Sequence, residues 1–203
     1  MNAADETQRW DQAISGWHSD FTGAPAQLRA QRSRLLALVG RRLQAGWVGW
    51  DPERDRWQPI LPLVLVFDGD IQLELAWQGW DDLSITWNTI DLTTPPTPAG
   101  RPHAWRSSQP PPLAAVQGRV LTGWAVTESP YFDSGADLTG DLPMHEVKGW
   151  LTHGLWIEFA GTDLHVHNGA DTTLIAAGLD HRADQGHVRL AHHQLPVDAA
   201  YCS

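Results

Sequence analysis

The 203 residues carry 24 acidic and 14 basic side chains, a formal net charge of -10, with 42% hydrophobic and 19% charged residues. That balance excludes a disordered chain, which is poor in aromatics and rich in charge. It also argues against a nucleic-acid partner, which needs a basic face to neutralise phosphates.

The length fits one domain over 1–203. The single cysteine, Cys202, permits neither an intrachain disulfide nor a thiolate metal cluster. MNAADETQRW lacks the positive region and apolar core of a signal peptide. The run ILPLVLVF, 60–67, falls far short of the roughly 20 residues a membrane helix needs. The expectation is a cytoplasmic protein with no membrane partner.

In chain order, Trp10, Ala13, Ile14 and Trp17 recur at helical spacing and predict a short first helix ending near Gly16. A second helical pattern starts near Ala26 and stops at Gly40, with Arg29, Arg32 and Arg34 on its solvated face. Then the period changes to two. LPLVLVFDGDIQLEL, 61–75, predicts a hairpin turning at Asp68-Gly69-Asp70, because aspartate and glycine tolerate positive φ. LSITWNTI, 83–90, predicts a further strand. The prolines of 93–112 predict a linker without helix or central strand. Beyond it, 115–126 and 150–167 predict strands around a second glycine turn, 129–143 an exposed loop, and HVRLAHHQL, 187–195, a closing strand.

The chain also matches itself. LALVGRRLQAGW, 36–47, aligns with LAAVQGRVLTGW, 113–124, with one single-residue gap in each direction. Gly40 then falls on Gly118, Arg41 on Arg119, Leu43 on Leu121, Gly46 on Gly123 and Trp47 on Trp124. LVLVFDGDIQLEL falls on LWIEFAGTDLHVH, pairing Phe67 with Phe159 and Gly69 with Gly161, with one extra turn residue in the second copy. The predicted fold is α+β and predominantly antiparallel β, a pseudo-duplicated β-rich domain with two N-terminal helices. Its parts are an N-terminal helical segment (1–24), a first half (25–92), a Pro-rich linker (93–112) and a second half (113–203).

Ten histidines invite a metal reading. Residues i and i+2 share a strand face, so His165 and His167 could reach one zinc or other divalent ion, with Asp171, His181, His187, His192 or His193 as a third ligand. The self-match favours a plainer reading. His165 and His167 fall on Gln72 and Glu74, so both hairpins show apolar residues inward and polar residues on a solvated face. On that reading no cofactor is expected. Among twelve tryptophans, Trp77, Trp80 and Trp87 cluster at the far end of the first hairpin, where exposed indoles could stack on a sugar or anchor a protein. No nucleophile elbow, phosphate loop or dinucleotide fingerprint is present in the sequence.

GWLTHGLWIEFAGTDLHVHNGADTTLI, 149–175, with PLVLVFDGDIQLEL, resembles a group of bacterial proteins with a duplicated hairpin pattern and no assigned function. The likeness spans much of 36–175 and departs after Asn168, where Gly-Ala-Asp-Thr-Thr replaces a more acidic turn. It implies no catalytic residue. The reading favoured by the sequence is a binding protein of accessory or immunity type for a basic protein partner, touching it through Glu74, Trp77, Trp80, Asp81 and Asp82. The alternatives are a metal-dependent enzyme or metal-binding module on His165 and His167, and a carbohydrate-binding module on the indoles.

Overall fold

The computed structural model describes residues 12–132 and 144–177, together with the backbone of 189–192. Two antiparallel sheets are built from alternating sequences. The first contains β1 (Thr22–Gly23), β2 (Leu43–Asp51), β3 (Arg56–Trp57), β4 (Leu63–Phe67), β5 (Ile71–Gln78), β6 (Asp82–Trp87) and β7 (Ala104–Ser107). Its order is β1-β6-β5-β4-β2-β3, with β7 also paired to β2. The second contains β8 (Leu121–Tyr131), β9 (Gly149–Phe159), β10 (Thr162–Asn168), β11 (Thr173–Ala177) and β12 (Arg189–His192), in the order β11-β10-β9-β8-β12. The α+β, mainly antiparallel architecture is the one the sequence predicts.

Residues at i, i+2 of each strand share a face, and the inward sets meet in one core. Leu73, Leu75 and Trp77 of β5 join Leu164 and Val166 of β10 there, with Leu28 and Leu35 of helix α1 (Ala24–Leu36). Pro25 at the start of α1 lacks only an N–H that a helix leaves unpaired anyway. At its far end the Leu35 carbonyl, one of the last-turn acceptors, takes the Trp124 indole N–H at 2.9 Å, tying the helix to the second sheet. Of the first predicted helix, Gln12 and Ala13 are helical and Trp10 lies outside the described residues.

The proline-rich stretch is more ordered than its composition suggests. Prolines flank β7, which pairs with β2 from Trp47↔Ser107 to Trp50↔Ala104, and Pro111 and Pro112 open the short helix α2 (Pro111–Val116). Prolines at the first helical turn initiate rather than break, and AWRS between them keeps its donors for pairing. Ser129–Tyr131, expected in a loop, continue β8; residues 133–143 lie outside the described residues.

The two glycine-arginine arms meet directly. Arg42 bridges Val120, and around it Gly40 and Gly118 donate to the carbonyls of Leu121 and Leu43, while Leu43 and Leu121 donate to those of Arg119 and Arg41. Each arm then bulges, at Leu43/Ala45 and at Leu121/Gly123. Leu43 pairs with Phe67 as Leu121 pairs with Phe159, and Gly46 pairs with Leu65 as Trp124 pairs with Ile157.

This register corrects the sequence alignment in two places. Trp124 stands where Gly46 stands, not Trp47, and the two indoles occupy different cores. A one-residue slip in a strand moves every side chain to the opposite face. The extra turn residue belongs to the first hairpin: Phe67 pairs with Ile71 across three residues, Phe159 with Thr162 across two. Counting from the turns, His165 answers to Glu74 and not to Gln72.

The expected solvated face is also corrected. Glu74 is 1% exposed and His165 0%. On the first sheet a second core covers that face, made of Ala13, Ile14 and Trp17 with Leu61, Val64, Ala76 and Ile90. Glu74 organises it. Its Oε1 accepts from Gln72 Nε2 (2.7 Å), Thr89 N (2.7 Å) and Ile90 N (2.8 Å), and its Oε2 from the hydroxyls of Thr89 (2.6 Å) and Thr86. Thr86 Oγ1 in turn accepts the Trp17 indole N–H at 3.0 Å. Gly16 lies so close that a Cβ there would sit 2.2 Å from the Thr89 carbonyl oxygen.

Removing the Glu74 carboxylate orphans these donors inside the protein. Glu74→Ala is expected to lower unfolding free energy by about 3 kcal/mol or more, against within about 0.5 kcal/mol for exposed Glu53→Ala. Urea titration of the two variants checks this.

Candidate functional site

The turn between β5 and β6 carries the most exposed large apolar side chain among the described residues, Trp80 at 88%. A turn that only reverses the chain needs no indole at its tip. The second sheet clasps it. Asn168 Nδ2 donates to the carbonyls of Gly79 and Trp80, both at 3.0 Å, and Asp171 Oδ1 accepts the Gly79 N–H at 2.6 Å. Below them Thr173 Oγ1 accepts the Trp77 N–H at 3.1 Å, and Thr173 N donates to the Pro59 carbonyl. On the other side Ala24 N, at the start of α1, donates to the Asp81 carbonyl at 2.7 Å. The indole therefore projects from a turn held by backbone and side-chain bonds on both flanks.

A cleft of about 720 Å³ adjoins this turn. Its buried lining includes Ala13, Trp17 and Trp77, its half-buried walls Phe21 and Ile60, and its exposed rim Thr97, Gly100 and Asp171. No lysine or arginine lines it among the described residues.

Of the five residues expected to touch a partner, the structure exposes Trp80 and Asp82, leaves Asp81 half-buried and places Glu74 and Trp77 inside. Trp77 follows Leu73 and Leu75 on the inward face of β5. Trp87 is buried beneath α1, its Nε1 donating to Gln31 at 2.9 Å with the Arg34 guanidinium 4.4 Å above the ring. A three-indole sugar platform is therefore not on the surface. Asn168 and Thr173, which build the clasp, carry no sequence signal beyond an Asn-Gly turn.

The predicted metal residues separate. Asp171 belongs to the Trp80 turn. His165 and His167 lie in a histidine cluster on the outer face of the second sheet, joined by His153, which the sequence did not single out. His153 is the extra residue of a bulge between Thr127↔Gly154 and Glu128↔Thr152, and such a bulge re-aims its side chain. The His165 ring stacks on His167 (4.4 Å, 23°) and on Trp156 (4.9 Å, 29°), while His153 meets both imidazoles edge-on. His165 Nε2 shares a 3.0 Å hydrogen bond with Thr127 Oγ1, and His153 Nδ1 one with Ser129 Oγ. Gly154 makes this possible, since a Cβ there would come within 2.4 Å of Thr127 Oγ1 and 2.8 Å of His165 Nε2.

Stacked imidazoles direct their in-plane lone pairs side by side, whereas a tetrahedral ion needs them to converge. Among the described residues no three His, Cys, Asp or Glu side chains gather to hold a metal. His181, His187 and His193 lie outside the described residues, and His192 is described only as backbone in β12.

Burial holds the His153 imidazole below the ordinary histidine value of 6.5. The unfolded chain then takes up this proton more readily than the folded one. Its contribution to stability is complete above about pH 6.5 and is lost as pH falls through the lowered folded value. Unfolding free energies at about pH 7.5 and about pH 5.5 are expected to drop more for the wild type than for His153→Asn. Equal drops would place the acid sensitivity on other groups.

Together these features define a two-sheet antiparallel β protein with an indole-tipped turn and an adjoining cleft that has Asp171 at its rim. No protein-family model, curated protein or solved structure matches the chain. Among the described residues no helix is long and apolar enough to cross a membrane.

Proposed function

We propose that the chain is a cytoplasmic binding protein, of the accessory or immunity type found in bacteria, whose contact face is the Trp80 turn and whose partner is a basic protein. The observation that carries this reading is the 88% exposure of Trp80 on a turn clasped by Asn168 and Asp171. Exposing an indole forfeits burial worth about 2 kcal/mol or more, and holding its turn rigid reduces the ordering cost of association. Tryptophans so placed are enriched where binding energy concentrates. The exposed indole, Asp81 and Asp82 next to it in the chain, and the net charge of -10 favour a cationic partner through cation–π contact and steering. The reciprocal bonds between the Gly40 and Gly118 arms support a duplicated origin for the two hairpins.

The immobilised protein, presented to an array of peptides of graded net charge, is expected to retain the basic ones. Trp80→Ala should weaken that retention about tenfold, and added salt should weaken it further. Leu151→Ala, an exposed apolar residue on the other sheet, should leave it unchanged. Retention indifferent to peptide charge and to Trp80→Ala would overturn the reading.

A further inference from the structure

We infer that the cleft beside the Trp80 turn receives one long basic side chain, arginine or lysine, from the protein partner. This rests on the Trp80 turn being the contact face, and it names what the neighbouring surface takes from that partner. The cleft's volume of about 720 Å³ lies in the range of about 300–1,000 Å³ typical of sites that enclose a ligand group.

Its polarity is graded. Ala13, Trp17 and Trp77 are the buried part of its lining, Phe21, Ile60 and Gln78 are half-buried, and Gln12, Thr97 and Asp171 are exposed. A buried apolar lining with one exposed carboxylate, Asp171, suits a side chain with an aliphatic stem and a terminal cation, which lies along apolar surface and keeps its charge at the edge. A compact cation would leave the apolar lining uncovered, and a purely apolar group would leave the carboxylate without a counter-charge. Asp171 is able to act, because only Oδ1 is engaged by Gly79 and Oδ2 accepts no hydrogen bond among the described residues. A cation seated there lies beside the turn that presents Trp80, so one basic segment can meet both.

Asp171 offers a clean variant. Its φ is +65°, a conformation that asparagine tolerates as well as aspartate. Asp171→Asn keeps an acceptor for the Gly79 N–H and removes only the charge.

The experiment titrates 15N-labelled protein with N-acetyl-arginine methylamide, and separately with the neutral isostere N-acetyl-citrulline methylamide, while recording the indole N–H resonances. The arginine amide is expected to shift the Trp17 and Trp77 signals and to bind about fivefold more tightly than the citrulline amide. Asp171→Asn should bring the two amides to equal affinity with an unchanged melting temperature. Unmoved Trp17 and Trp77 signals at saturating amide, or equal affinities in the wild type, would overturn the inference. The amides read the cleft alone, whereas the peptide array reads the Trp80 face. Failure of the amides with Trp80-dependent peptide retention intact removes the cleft and leaves the contact face. The reverse pattern removes the contact face.

Discussion

The Glu74 carboxylate accepts five hydrogen bonds from residues on both sides of it in the chain, and the Trp17 side of the cleft is tied to them through Thr86. A carboxylate in the middle of a sheet is costly to bury unless its lone pairs are filled. The chain fills them with the backbone of Thr89 and Ile90, the very segment that must fold back over β5. Thr86 passes the link on to the Trp17 indole, and Thr97 N to the Ala13 carbonyl closes the strap over the N-terminal segment. The second core is thus specified by polar atoms and filled by apolar ones. The carboxylate acts with other directional bonds that place the strap, Gln72 Nε2 to the Ile90 carbonyl and Asp91 N to the Ser15 carbonyl, both at 2.9 Å.

The second sheet uses the equivalent ladder position differently. His165 occupies the place of Glu74, and it too is buried, but among the described residues it bonds Thr127 and is flanked by rings. The bridge between the Gly40 and Gly118 arms joins the two sheets, and one outward polar position in each is a buried anchor. One anchor recruits chain to build a cleft wall. The other organises a stack that a single added Cβ at Gly154 would dislodge.

Both hairpins were legible because alternation and a glycine turn are local signals. Leu63–Phe67 and Ile71–Gln78 needed no knowledge of their neighbours. What covers a face is not local. Alternation in Gln72-Leu73-Glu74-Leu75 reads the same whether the polar side meets water or a strap that returns at Thr89 and Ile90 beneath a segment from the N-terminal part of the chain, and Glu74 was misplaced for that reason. The bulges at Leu43/Ala45 and Leu121/Gly123 misled differently, since the paired Gly-Trp sequences tempt an alignment that only a skipped residue can undo. Trp77 was recoverable: two residues past Leu75 and four past Leu73, its parity already put it inward, and Trp87 follows Leu83 and Ile85 in the same way. Trp80, outside both strands, escapes that parity.

That escape has a physical consequence for where a contact can form. A side chain within β5 or β6 is committed by the pleat to one of two packed faces, so only the turn can present a large apolar group to solvent. A turn alone would leave the indole on a mobile tip, with the ordering cost charged to each binding event. Asn168, Asp171 and Thr173 remove that freedom before any partner arrives, and they come from the β10–β11 turn of the opposite sheet. The Gly-Ala-Asp-Thr-Thr sequence after Asn168 therefore makes sense as construction. Gly169 bonds Thr172 and closes a tight loop, which sets Asn168 and Asp171 on the backbone of Gly79 and Trp80 and leaves one carboxylate oxygen at the rim of the cleft. Two sheets joined at one end by their glycine-arginine arms are thus held at the other by the clasp on the backbone of Gly79 and Trp80, which fixes the point from which the exposed indole projects.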